Sequence, residues 1–118
     1  MNKTSEYAQA FTNFSYQIRL FHWQTPIYSR HVALGKLYDE MNDLIDSFME
    51  VYIGEYGRSL PEEGIASVFS MNSENTSSVI DEFKEFLTGI DDLSTDLLNI
   101  RDEMLGLIHQ VVYLLSLQ

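Results

Sequence analysis

His31, Asp39, Asp43, Asp46 and Glu50 follow one another at steps of eight, four, three and four residues, with Gly35 between the first two. At about 100° per residue these positions share one band of a helix, an acidic stripe headed by an imidazole. Asp46 and Glu50 are four apart, so their carboxylates stand one turn apart and can reach one hard cation, which would relieve their mutual repulsion. The plain alternative is the solvated face of an amphipathic helix in an acidic protein. His22 ends an apolar seam, where a histidine serves either as a partly buried structural residue or as a ligand. Trp23 beside it reads as an interface aromatic. His109 has Asp102 seven residues before it, too far for direct shared ligation, and reads as structural or surface.

Other chemistries are excluded by what the chain lacks. It has no cysteine, so there is no disulfide, no thiolate metal site and no cysteine nucleophile; any metal must use His, Asp and Glu. The Glu-x-x-His pairs of di-iron bundles are absent, since Glu40, Glu50 and Glu103 are followed at the third position by Asp43, Ile53 and Gly106. Nothing matches a phosphate loop, a His-Glu-x-x-His helix or a Gly-x-Ser-x-Gly elbow. Asp and Glu outnumber Lys and Arg by 18 to 7, a net charge of -11 that disfavours nucleic acid and anionic membranes as partners. No basic start followed by an apolar run opens the chain, and no apolar stretch nears membrane-spanning length, so a cytoplasmic location is expected.

The elements that must position these residues are helices. Tyr7, Phe11, Phe14, Ile18 and Phe21 recur at steps of four and three, with Thr4 or Ser5 to cap the start. Tyr16, Leu20 and Trp23 fall on the opposite side, and a helix apolar on two faces calls for two neighbours. Thr25-Pro26 stops it, and Ser29 is placed to cap the next. Leu34, Leu37, Tyr38, Met41, Leu44, Ile45, Phe48, Val51 and Tyr52 then form a continuous stripe ended by Gly54 and Gly57. Residues 57–75 are a long connection rich in Gly, Ser, Asn and Glu, with room for a short turn at 65–69. Thr76 or Ser77 can cap a third helix through Val79, Ile80, Phe83, Phe86 and Leu87. Ser94 can cap a fourth, whose broad apolar arc predicts the most buried helix of the set. The expectation is one all-α domain over 1–118, an antiparallel four-helix bundle with helices near 5–24, 30–54, 77–88 and 94–117.

The run Leu20-Phe21-His22-Trp23-Gln24, then His31, then Asp46-Ser47-Phe48-Met49-Glu50, resembles the first helical hairpin of the Dps (DNA protection during starvation) branch of the ferritin-like superfamily. His31 to Asp46 is fifteen residues, as in that branch. The resemblance implies a ferritin-like bundle in which His22 and His31 of one subunit meet Asp46 and Glu50 of its twofold mate and bind iron across the interface. Gly35 stands where that family has an acid, with Asp39 a turn later. The connection from Trp23 to His31 is shorter than the family's, and a lysine-rich tail is missing. The pattern Asp96-Leu97-Leu98-Asn99-Ile100-Arg101-Asp102-Glu103, with the overall length, looks closer still to a small uncharacterised family encoded by tailed bacteriophages, which implies a fold and a host-cell cytoplasmic setting but no activity.

Two readings follow. In one the chain binds Fe(II) at an intersubunit site of His22, His31, Asp46 and Glu50 and oxidises it as a ferroxidase, imidazoles suiting Fe(II) and carboxylates the Fe(III) product. In the other it is a non-catalytic ferritin-like bundle of phage origin, an accessory or interaction module that keeps the hairpin for dimerisation; Gly35 and the short connection motivate it. A weaker third is an acidic mimic of nucleic acid that occupies a host protein's basic groove. All three allow a host protein partner, and the two-faced first helix predicts a homodimer built on helices 1 and 2.

Overall fold

The computed structural model describes residues 3–58 and 76–117, and among them every regular element is a helix. They are α1 (Thr4–Gln24), α2 (Tyr28–Tyr56), α3 (Thr76–Thr88) and α4 (Thr95–Ser116). The turn expected at 65–69 lies outside the described residues. The 29 residues of α2 span about 43 Å at 1.5 Å per residue. That length sets the long axis of the molecule, 43 Å. Among the described residues no helix is long and apolar enough to cross a membrane.

The helices form where the apolar spacing places them, but their ends are made differently from the expected caps. Thr4 is the first residue of α1 and not its cap; its buried hydroxyl donates to the Gly57 carbonyl at 3.1 Å. The Lys3 amide donates to the Tyr52 hydroxyl at 2.9 Å, so the start of α1 is tied to the end of α2. α2 begins at Tyr28, ahead of Ser29, which lies inside the helix; Ile27 precedes the helix and its carbonyl accepts from the His31 amide at 3.0 Å. Ser94 precedes α4, yet its hydroxyl donates to Glu55 Oε2 at 2.6 Å and not to a helical amide. Gly57 ends α2 at φ 94°, a conformation that costs glycine little.

The bonds from Lys3 and Thr4 to Tyr52 and Gly57 set α1 against α2. α3 turns into α4 through Asp92, at φ 57°, a left-handed conformation that Asp tolerates. Arg101 of α4 closes this turn, its Nη1 donating to the carbonyls of Leu87 and Ile90. The Ser94–Glu55 bond places the start of α4 beside the end of α2. The ring pairs Tyr7–Phe86, Phe11–Phe83 and Phe14–Phe83 run α1 against α3.

The core is aromatic. Phe11 meets Phe48, Phe83 and Phe86 edge-on, and Phe14 stacks on Phe83 with centroids 3.7 Å apart. Tyr7 packs edge-on against Phe48 and Tyr52. Such pairs add about 0.5–1.5 kcal/mol each beyond their burial. The expectation that α4 is the most deeply buried helix is corrected. α1 buries Tyr7, Phe11, Phe14, Gln17, Ile18 and Phe21 along its inner face, whereas α4 leaves Val112 and Tyr113 exposed, and Leu117 just past its end is exposed too.

Candidate functional site

His22, at the end of α1, and His31, in the first turns of α2, are brought together by the tight turn at Thr25-Pro26-Ile27. His22 Nδ1–H donates to the His31 carbonyl and His31 Nδ1–H donates to the His22 carbonyl, each at 2.7 Å. A carbonyl only accepts, so both Nδ1 atoms carry the proton and, in the neutral ring, both Nε2 atoms keep the lone pair. The His22 carbonyl lies in the last turn of α1, where the helix supplies no partner, so His31 caps that end. The two rings stack with centroids 3.9 Å apart and planes 14° from parallel. Gly35 makes the room: a Cβ there would stand 2.9 Å from His22 Cε1 and 3.2 Å from Nδ1. The acid that the Dps hairpin carries at this position cannot be placed beside this pair without moving the ring.

The stack also bears on the four expected metal ligands. A metal bound to an imidazole nitrogen lies in the plane of that ring, about 2.0–2.1 Å from it. With the planes nearly parallel and 3.9 Å between centroids, an ion on one ring lies well outside the plane of the other. Asp46 and Glu50 are exposed on α2, fifteen and nineteen residues beyond His31. At 1.5 Å per residue that is about 22 and about 28 Å, so one chain does not bring them to the histidines. Asp39 and Asp43 are exposed too, as are Asp102 and His109. Among the described residues no three His, Asp or Glu side chains converge where they could hold a metal ion.

What the hairpin assembles instead is a polar and aromatic outer face. The Arg19 guanidinium carbon stands 5.2 Å from the Trp23 ring centroid and 4.8 Å from that of Tyr38. Each contact is a cation–π pair, and Arg19 to Trp23 is the one-turn spacing that lets a helix make it. Below them Phe11, Thr12, Ser15, Tyr16, Asn42 and Asp46 line a groove of about 250 Å³ between α1 and α2. On the second apolar side of α1, Tyr16 is 50% exposed and Trp23 63% exposed, while Leu20 is half-buried. At the turn Ile27, Tyr28 and Val32 are exposed as well, Tyr28 at 80%.

Reading residue types for metal chemistry missed Arg19 and Tyr38. A signal for them exists in the charge order: residues 7–38 contain Arg19, Arg30 and Lys36 and no acid, whereas 17 of the 18 acids follow residue 38. Three of the seven Lys and Arg residues therefore fall on the α1–α2 hairpin with no acid between them.

Comparison with known proteins gives the chain a family. The model of a family of unknown function, DUF5856, matches residues 22–115. A protein of Enterobacteria phage T4, described as an uncharacterized 14.6 kDa protein in the mobD-ri intergenic region, is 31% identical over 102 residues, covering 82% of this chain and 75% of that protein. No solved structure matches. These matches support the likeness to a phage-encoded family and give none to the Dps branch. The matched region takes in the His22–His31 pair, the groove residues of α2 and nearly all of α4, and the chain belongs to the DUF5856 family.

Proposed function

We propose that this protein is a non-catalytic helical interaction module of its phage family, which dimerises through the outer face of α1 and α2 and from there engages a host protein. The observation that carries this reading is the His22–His31 pair. Both imidazoles are spent on closing the turn, stacked ring on ring and bonded to each other's backbone carbonyl. Their geometry serves the rigidity of a hairpin better than chelation. The exposed Trp23, Ile27, Tyr28 and Val32 around that turn suit a protein contact, since a cluster of exposed apolar side chains marks interaction surfaces. Two antiparallel hairpins with α2 and α3 parallel is the order that one long crossover produces, and it supports a ferritin-like bundle.

The iron reading requires a second copy to carry Asp46 and Glu50 to the histidines and the stack to open. An anaerobic Fe(II) titration followed by peroxide, run on the wild type and on the His22→Ala/Asp46→Ala variant, separates the two. Under the proposal both proteins show no saturable binding and oxidise iron at the rate of buffer. Saturable binding with rapid oxidation in the wild type, lost in the variant, would overturn it and establish the iron site.

A further inference from the structure

Ser15 Oγ donates to Asn42 Oδ1 at 2.5 Å, which fixes these residues at one level of the α1–α2 hairpin. Arg19 lies four residues from Ser15 toward the turn, and Asp46 lies four residues from Asn42 away from it. At 1.5 Å per residue they stand about 6 Å above and about 6 Å below that level. Trp23 and Glu50 repeat the relation at eight residues, about 12 Å to either side. Because both side chains also line the groove between the two helices, equal and opposite displacement lets a twofold axis that lies in the plane of that face and crosses the helices at a right angle lay Arg19 of one copy over Asp46 of the other, twice in the same dimer.

The two side chains are also free to meet. Both line the groove and both are exposed. Neither has an ion-pair partner among the described residues, where the pairs are Lys36–Glu40 and Arg101–Asp102. Arg19 is held between the rings of Trp23 and Tyr38, so its planar fork is ordered in advance while its N–H edge remains available to a carboxylate. We propose that a second copy of this chain occupies the groove, antiparallel, with the twofold axis at the Ser15–Asn42 level and each Arg19 paired to Asp46 of the partner subunit. A parallel side-by-side arrangement would set Arg19 against Arg19 and the acids of 39–50 against each other, which a chain of net charge -11 opposes. The inference rests on the dimer proposed above and adds its direction, register and ionic contacts.

Sedimentation equilibrium at low and high salt tests it on the wild type, Arg19→Glu, Asp46→Arg and the double exchange. The expected result is a wild-type dimer weakened by salt, at least about tenfold weaker dimerisation in each single exchange, and recovery to within about threefold in the double. Both positions are exposed, and far-UV circular dichroism checks that the variants remain helical. A wild-type dimer indifferent to salt and to either exchange, or a double exchange as weak as the singles, would overturn the register while leaving the dimer standing. A wild-type monomer at every concentration would overturn both.

Discussion

Gly35, His22 and His31 make one device, and its three parts carry predictions of opposite sign. In an ordinary helix Gly→Ala gains up to about 1 kcal/mol. At position 35 the new methyl meets His22 Cε1 at 2.9 Å, and the ring is held by its stack and its 2.7 Å bond to the His31 carbonyl. Overpacking costs about 1–3 kcal/mol, so Gly35→Ala destabilises the wild type. In a His22→Ala background the obstacle is gone and the same substitution stabilises. Urea unfolding of the four proteins reads this cycle; a change of the same sign in both backgrounds would mean that the ring does not decide the residue at 35. At the start of α4, Asp96 is held below the usual carboxylate range chiefly by the Ser94 side chain, whose hydroxyl it shares with Glu55, against the opposing cost of desolvation and with the Leu97 backbone amide as a lesser aid. A carboxyl whose folded value is depressed contributes stability above its unfolded value, 3.8, that is lost as pH falls through the folded one. The stability difference between wild type and Asp96→Asn is therefore constant near neutrality and shrinks below about pH 4, as thermal unfolding across that range would show.

Among the elements, α3 is the short one, and its hold on the bundle rests on a few rings. Phe83 stacks on Phe14 and meets Phe11 edge-on, and it is buried. Phe83→Ala is expected to cost about 3–5 kcal/mol, a large part of the stability of a domain this size, and to release the amides of α3 to hydrogen exchange before those of α1 and α2. Loss of under about 1 kcal/mol with uniform protection would show that α3 is held by something else. The helices themselves were legible because Phe11, Phe14 and Ile18, or Leu34, Leu37 and Met41, repeat with the helical period. Their ends were less so. Thr4 has the chemistry of a cap but spends its hydroxyl on Gly57, 53 residues away, and no local rule contains that partner. The width of α4's apolar arc was plain, but not that Val112 within it would stay exposed, since that depends on which neighbours the helix meets and not on its own period. The candidate site divides the same way. That His22 and His31 lie together came from the Dps resemblance, as shared ligands; that they stack was not legible, because the backbone carbonyls across the turn fix the rings.

For the whole molecule the informative property is the distribution of charge along the bundle. Three of the seven Lys and Arg residues and two of the histidines gather between 19 and 36, and all the acids but Glu6 lie from Asp39 to Glu103. Along the groove between α1 and α2, Arg19 lies toward the turn and Asp46 away from it, so two copies laid on this face attract in one direction and repel in the other. This gives the second apolar side of α1 a use that does not depend on a metal. The most direct measurement is the solution mass of the metal-free, chelator-treated wild type by sedimentation equilibrium at low salt. The account predicts twice the 13.7 kDa of the chain, with no change on adding Fe(II). A mass of 13.7 kDa, or a dimer that forms only when iron is supplied, would contradict it.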